Sequence, residues 1–146
     1  MDRRALIAGL GTALVASARL AMAEDDKKGG HEHAAAHPRK KLIAETSHCI
    51  AVGEVCLDHC HKMLSHGDTT MAGCLNTVTA VIAVCTALRT LAAAESTVTP
   101  AQAKIAAKVC EDCEKECRKF EQDHEVCRDC AEACASCAKE CRAVAV

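Results

Sequence analysis

The chain has 146 residues, enough for one ordinary domain and too few for two. Its formal charge of −2 gives no indication of a nucleic-acid or acidic partner. Phe120 is its only aromatic residue of the Phe, Trp and Tyr types, so Leu, Ile, Val, Ala and Cys must fill any core. Thirteen cysteines far exceed ordinary usage. Because that number is odd, they cannot all form disulfides within one chain.

Residues 1–23 have the pattern of an export signal. Arg3 and Arg4 precede a mildly apolar run, and Ala21-Met22-Ala23 supplies a small-x-small cleavage site. The paired arginines favour the twin-arginine route, so we expect a periplasmic or otherwise extracytoplasmic protein. The alternative is an uncleaved membrane anchor, although the apolar run is short for a span of ~20 residues. We expect no membrane span in the mature chain.

The polar stretch 24–41 is predicted to be a flexible tether, since Gly29-Gly30 and Pro38 interrupt it. It carries three histidines that could bind a metal weakly: His31, His33 and His37. The alternative is a solvated tail with no specific role.

The first helix is predicted over residues 39–65. Its three cysteines are seven and four residues apart, a spacing that places them on one helix face. Met63 lies on the same face, one heptad after Cys56. Gly67 is expected to end the helix, and Asp68 or Thr69 to cap the next one.

The second helix is predicted over residues 70–94. Cys74 and Cys85 are eleven residues apart and share a face. Most of its other positions are apolar, so the helix must be buried on more than one side. A membrane span is one interpretation, but Asn76, Arg89 and four threonines argue against it. We favour a surface for self-association.

The third helix has the clearest start signal in the chain. Thr99 is expected to cap it, Pro100 to occupy the first helical position, and Gln102 to complete a capping box. The helix should continue to about residue 122. Its cysteines recur at steps of three and four.

The fourth helix is predicted over residues 124–143, with Asp123 as its cap. Charged residues lie between the cysteines of the last two helices, so the charges face outward and the sulfur atoms inward. The cysteines of these helices are Cys110, Cys113, Cys117, Cys127, Cys130, Cys134, Cys137 and Cys141.

Short connections between the four helices require antiparallel neighbours. Residues 42–146 are therefore predicted to form an all-α, up-down-up-down four-helix bundle with a cysteine-lined core. The thiols should form a column along the bundle axis, because the fourth helix alone spreads its cysteines over ~21 Å. One end of the bundle should collect His59, Met63, His66, Met71 and His124.

Disulfides, iron–sulfur clusters and zinc each explain this column less well than copper. Cysteines three or four residues apart on one helix have Cβ atoms ~5–6 Å apart, too far for a disulfide, although bridges between helices remain possible. Iron–sulfur motifs need a loop around the cluster. Zinc takes closed groups of four ligands, and a continuous ladder of cysteine pairs does not divide naturally into fours.

Cu(I) is soft, selects thiolate and thioether ligands, and is satisfied by two sulfur atoms. Bridging thiolates would let the column hold on the order of a dozen ions, one for each cysteine. Equal numbers of thiolates and Cu⁺ ions are nearly neutral, which matters because buried net charge is costly. The Cys-x-x-x-Cys pairs offered as rungs are Cys56–Cys60, Cys113–Cys117, Cys130–Cys134 and Cys137–Cys141.

The sequence resembles the copper storage proteins, in particular their exported branch. The resemblance rests on Arg3-Arg4, on the thirteen cysteines and on the segment Cys56-Leu-Asp-His-Cys-His-Lys-Met63. It implies a four-helix bundle filled with Cu(I) on paired thiolates, association as a homotetramer, and copper supply to an enzyme such as a membrane methane monooxygenase. His66 stands where the family often has Met.

The predicted function is high-capacity, reversible storage of Cu(I) without catalysis, for later delivery to a copper-accepting enzyme or chaperone. The alternatives are a general thiol-rich detoxification protein for zinc, cadmium or copper, and a disulfide-stapled exported protein. By the resemblance, the entrance ligands are His59, Met63 and Met71. The candidate core ligands are Cys49, Cys56, Cys60, Cys74, Cys85, Cys110, Cys113, Cys117, Cys127, Cys130, Cys134, Cys137 and Cys141.

Overall fold

Four α-helices make up the part of the chain that the structure, a computed structural model, describes, which is residues 37–146. This part contains no strand. The predicted signal and most of the predicted tether, including His31 and His33, lie outside the described residues. The helices are α1 (Lys40–Ser65), α2 (Ala72–Ala93, preceded by the 3₁₀ turn Thr69–Met71), α3 (Thr99–Arg118) and α4 (Glu125–Val144).

Each helix packs against two others: α1 and α3 both contact α2 and α4. The connections span only 66–71, 94–98 and 119–124, so successive helices run antiparallel. The predicted up-down-up-down bundle is confirmed. The ends of α1 and α3 and the starts of α2 and α4 therefore meet at one end of the bundle, which we call the mouth, and the opposite end is the base.

The chain turns from α1 into α2 as the sequence predicts. Gly67 has a φ of +88°, which a residue with a side chain adopts only with strain. The amide of Gly67 donates to the carbonyl of Leu64 and that of Asp68 to the carbonyl of Met63, at 2.9 and 3.1 Å, which completes a Schellman motif. The Asp68 carboxylate then accepts from the amide of Thr70 at 2.9 Å and caps the 3₁₀ turn.

The end of α2 has the same hydrogen-bond pattern without glycine. Glu95 has a φ of +50°, and its amide donates to the carbonyl of Ala92. The amide of Ser96 donates to the carbonyl of Leu91 at 3.0 Å. A side chain in this left-handed conformation costs roughly 1–2 kcal/mol, which glycine would avoid.

The predicted capping box of α3 is wrong. The helix is capped by Val98, so Thr99 and Pro100 occupy its first and second positions. The Thr99 hydroxyl is fully buried and donates to the carbonyl of Ser96 at 2.7 Å, which leaves it unable to cap. The Gln102 amide instead donates to the carbonyl of Val84 on α2, at 3.4 Å.

The junction of α3 and α4 also differs from the prediction. Helix α3 ends at Arg118, because the chain then winds through turns around the partly buried Phe120. The amide of His124 donates to the Phe120 carbonyl at 2.9 Å. His124, in an extended conformation, is the cap of α4, and Asp123 is not.

Helix α2 and its preceding turn form the one segment of residues 37–146 that is long and apolar enough to cross a membrane. It spans Thr69–Ala93 with a mean hydropathy of 1.8. One face of α2 packs into the bundle between α1 and α3, through Cys74, Val78, Val81, Cys85 and Leu88. A third of that apolar window is buried, so α2 gives one face to the core and leaves the rest of its surface uncovered in a single chain.

Candidate metal centre

The centre of the bundle is built from sulfur. All thirteen cysteines are free, and none is more than 1% exposed. Every helix contributes at least two of them, because steps of three and four residues keep thiols on the inward face. Alanine fills much of the space between them, which lets the helices approach closely. The predicted cysteine-lined core is confirmed.

The thiols meet across helices as closely as they meet along them. The sulfur atoms of Cys74 on α2 and Cys117 on α3 are 3.4 Å apart, and Cys74 lies 3.7 Å from Cys56 on α1. Farther down the column, the Cys49 and Cys134 sulfurs of α1 and α4 are 3.9 Å apart. These separations exceed the S–S bond length of about 2.05 Å, so the thiols are in contact without being bonded.

Two of the predicted rungs have their sulfur atoms in direct contact along one helix. The Cys113–Cys117 and Cys137–Cys141 separations are each 3.9 Å. Contacts between helices outnumber them, and sequence spacing could not have predicted these, because they depend on the register between helices.

Four groups of thiols are compact enough to hold a metal ion, with all the sulfur atoms of a group within 4.8 Å of one another. Three groups have three members, and two cysteines, Cys56 and Cys130, each belong to two of those groups. Shared members are what bridging between neighbouring ions requires. The groups are Cys56/Cys74/Cys127, Cys56/Cys117/Cys130, Cys113/Cys130/Cys134 and the four-membered Cys49/Cys85/Cys110/Cys137.

Hydrogen bonds among the thiols near the mouth separate their pKa values. Those from Cys56 and then Cys74 lower the pKa of Cys60 to about 4 and that of Cys127 to about 3. The pKa of Cys56 is raised, chiefly by its hydrogen bond with Cys117. Thiolate is the form that binds metal, so hydrogen bonding favours the metal-binding form of Cys60 and Cys127 at this end and disfavours it at Cys56.

Hydrogen bonds also lower some thiol pKa values and raise others deeper in the column. Hydrogen bonds from Cys110, the largest contribution, lower the pKa of both Cys49 and Cys137 to about 5. The pKa of Cys134 is raised, again chiefly through Cys110. In this part of the column, hydrogen bonds therefore lower the pKa of some thiols and raise that of others.

The mouth brings together soft and imidazole ligands. Met71 is fully buried and Met63 partly buried against the core. The His59 Nε2 atom is buried without a hydrogen-bond partner, and no other buried side-chain nitrogen or oxygen of residues 37–146 lacks one. The rings of His59 and His124 have centroids 4.8 Å apart. Since His124 is the cap of α4, its position depends on the α3–α4 turn that the sequence did not predict.

The remaining histidines of the described part are not buried in the column. His66 caps the end of α1 at the mouth, as predicted, but it is exposed, and its Nδ1 atom lies 2.8 Å from the carbonyl of Lys62 on its own helix. His48 and His61 are exposed on α1. His37 lies at the base, with its Nε2 atom 3.3 Å from the Ala93 carbonyl.

The base is closed by side chains that carry no sulfur. The Thr46 hydroxyl donates to the Leu42 carbonyl at 2.7 Å, within its own helix. Cys141 is the last thiol before this layer in α4. The fully buried residues of the base are Leu42, Thr46, Leu88, Ala92, Thr99 and Ala103.

Comparisons with known proteins agree with this geometry. Residues 35–146 match the family described as Copper storage protein (Csp). The Cu(I)-bound copper storage protein BsCsp3 of Bacillus subtilis is 26% identical, with a TM-score of 0.67, over 74% of this chain and 98% of its own. No curated protein matches the chain.

The copper storage protein Ccsp from Streptomyces lividans, loaded with 10 copper equivalents, is 30% identical. Its TM-score is 0.67, and the match covers 76% of this chain and 88% of that one. A further structure of a copper storage protein from S. lividans, described as cytosolic and holding five coppers, is 31% identical over 71% and 88% of the two chains, with a TM-score of 0.65. By its thiol-lined bundle and by its match over most of its length, the chain belongs to the copper storage protein family.

Proposed function

We propose that this protein is an exported store that takes up on the order of one Cu(I) for each of its thirteen cysteines and releases it to a copper-accepting enzyme or chaperone. The observation that carries the proposal is that all thirteen thiols are buried in one interior, where eleven of them belong to close groups that join neighbouring helices. Cu(I) is satisfied by two or three sulfur ligands, which the three-membered groups supply, and shared thiolates can bridge neighbouring ions. The resulting core is close to neutral, because each Cu⁺ offsets one thiolate.

The proposed storage ligands are the thirteen cysteines already named. His59, Met63 and Met71 are proposed as entrance ligands, since thioethers bind Cu(I) without deprotonation. The unpaired His59 Nε2 supports this role, because a buried nitrogen without a partner costs stability unless it binds something. No residue is assigned a catalytic role.

Anaerobic titration of the reduced protein with Cu(I), against a chromophoric chelator, tests the store. We expect about one ion per cysteine to bind before the chelator competes. Binding that stops at three or four ions would contradict it, and tighter uptake of Cd²⁺ or Zn²⁺ at the same capacity would identify a general detoxification protein. The double variant Met63→Leu/Met71→Leu should retain the full capacity and load several-fold more slowly, since leucine matches methionine in volume and lacks the thioether.

Export is proposed from residues 1–23, followed by a tether over 24–41 and the copper-binding bundle over 42–146. A relative described as cytosolic exists, so the compartment must be tested directly. Fractionation of cells expressing the protein should find it outside the cytoplasm, with the first residue at Glu24. Replacement of Arg3 and Arg4 by lysine should retain it inside, and export of that variant would refute the twin-arginine assignment.

A homotetramer is proposed, with α2 as the contact surface. The exposed side chains of α2 are uncharged, and its single charged residue, Arg89, is partly buried. These exposed residues are Ala72, Asn76, Thr79, Ala80, Ala83, Ala87, Thr90 and Ala93. Light scattering should give four chains per particle. Ala83→Glu should dissociate the particle, whereas the same change at Ala101, exposed on α3, should not.

A further inference from the structure

The group Cys49/Cys85/Cys110/Cys137, which we call the quartet, differs from every other thiol group of the described residues. It has four members, one from each helix, and it shares none of them with another group. The three-membered groups overlap and so form a continuous path for bridged ions. The quartet shares no thiol with these groups and can therefore hold an ion that is not bridged to its neighbours.

The dimensions of the quartet fit a single tetrahedral ion. Four Zn–S bonds of about 2.3 Å span a tetrahedron whose S–S edges are about 3.8 Å. The Cys85 sulfur lies 3.7 Å from that of Cys110 and 3.9 Å from that of Cys137, and all four sulfurs lie within 4.8 Å of one another. The remaining edges therefore need to shorten by at most about 1 Å to match that tetrahedron.

Neighbouring thiols complete the surroundings that such an ion needs. Four thiolates around a divalent ion leave two negative charges, which must be stabilised because the site is dry. Cys134 lies 3.9 Å from Cys49, and Cys141 lies 3.9 Å from Cys137. Both lie outside the quartet and can donate S–H hydrogen bonds to its sulfurs, as outer ligands of zinc sites commonly do.

We propose that the quartet is a tetrahedral site for one Zn²⁺ per chain, occupied when copper is scarce. This inference goes beyond copper storage and does not depend on it. An ion held by all four helices would fasten the copper-free bundle near its base, and it would keep four thiols from oxidation. Cu(I) entering from the mouth would displace it, because Cu(I) competes strongly for thiolate.

The test is a titration of the reduced, copper-free protein with Zn²⁺ against a chromophoric chelator, without oxygen. We expect one Zn²⁺ to bind tightly per chain and to raise the thermal unfolding temperature. Co²⁺ used in its place should give the intense visible absorption of a tetrahedral tetrathiolate complex. X-ray absorption of the Zn²⁺-loaded wild-type protein should count four sulfurs at about 2.3 Å.

Single substitutions locate the site. Cys85→Ser and Cys110→Ser should each weaken Zn²⁺ binding by at least ~100-fold and abolish the thermal shift. Cys60→Ser is the matched control, since Cys60 is equally buried and belongs neither to the quartet nor to the two thiols that donate to it. It should leave the Zn²⁺ affinity and the thermal shift unchanged.

Three results would overturn the inference: no tight Zn²⁺ in the wild type, an octahedral Co²⁺ spectrum, or equal loss of Zn²⁺ in Cys60→Ser and Cys85→Ser. Circular dichroism identifies any variant that fails to fold. In that case the number of sulfur ligands measured by X-ray absorption of the wild-type protein decides whether the Zn²⁺ site is the quartet's tetrathiolate. The assay contains no copper, so its failure leaves the copper store intact. Conversely, a protein that takes up little Cu(I) can still bind one Zn²⁺.

Discussion

Cys74 and Cys117 are in contact between α2 and α3, with their sulfur atoms 3.4 Å apart. Cys74 also lies 3.7 Å from Cys56, so it joins three helices near the mouth. An ion that entered past Met63 and Met71, as proposed, would meet this junction before it reached the deeper thiols.

The junction predicts a kinetic difference between two cysteines of equal burial. Cys74→Ala and Cys141→Ala should each lower the capacity by about one Cu(I). Only Cys74→Ala should also slow loading several-fold, because it removes an early ligand while Cys141 lies at the base. Stopped-flow transfer of Cu(I) from a chelator measures both quantities, and identical loading rates in the two variants would contradict entry through the mouth.

His59→Phe is expected to raise stability and impair loading at once. Phenylalanine keeps a ring beside His124 and removes the buried, unpaired Nε2, whose desolvation costs ~1–3 kcal/mol. Urea unfolding of the copper-free protein should therefore give a higher free energy of unfolding, while Cu(I) uptake slows. His61→Phe, at an exposed position on the same helix, is the control and should leave uptake unchanged. Destabilisation by His59→Phe would show that the nitrogen has a partner.

The two Schellman motifs predict that removing glycine at position 67 lowers the free energy of unfolding and that introducing glycine at position 95 raises it. Gly67→Ala should lower the free energy of unfolding by roughly 1 kcal/mol, because alanine at a φ of +88° is strained. Glu95→Gly should raise it by about 0.5–1 kcal/mol, since glycine relieves the same strain at a φ of +50°. Denaturant unfolding of the reduced protein measures both, with Glu95→Ala as the control that removes the carboxylate and keeps the strain.

The contact between α1 and α2 predicts a third stability effect. A Cβ atom at Gly53 would lie 3.3 Å from Ile82 Cγ1, so Gly53→Leu should overpack this contact and cost ~1–3 kcal/mol. At Gly73, the crowding atom belongs to the end of the Glu116 side chain, which can swing away. Gly73→Leu should therefore change the free energy of unfolding by less than ~0.5 kcal/mol. A similar cost at the two positions would refute the close approach of α1 and α2.

Periodicity within each helix was enough to predict the fold and the inward thiols. Cysteines three or four residues apart, with charges between them, can face only one way in a bundle. Periodicity within one helix could not predict which cysteines of different helices lie side by side. The quartet exists because the register of four helices brings Cys49 level with Cys137, and that register depends on packing at positions such as Gly53.

Sequence signals for helix ends predicted the structure only where a single interaction determines the end of the helix. Gly67 and Asp68 act as predicted, because a left-handed residue and an adjacent carboxylate have few competing partners. Thr99 does not cap α3, because burial directs its hydroxyl to the Ser96 carbonyl. The position of His124 beside His59 follows from the Phe120 turn, which has no signature in the spacing of residues.

With entry through the mouth, as proposed, the sulfur-free base would make the column a tube with one opening. In such a tube, ions that enter through the mouth cannot pass one another, so the last ion loaded is the first one withdrawn. Copper near His59 and Met63 would exchange readily with a recipient, while copper beside Cys141 would leave only after the rest. The ions near the mouth would then exchange quickly and those near Cys141 slowly. The buried layer of Leu42, Thr46 and Leu88 separates the slowly exchanging ions from solvent and would limit the rate at which they are lost.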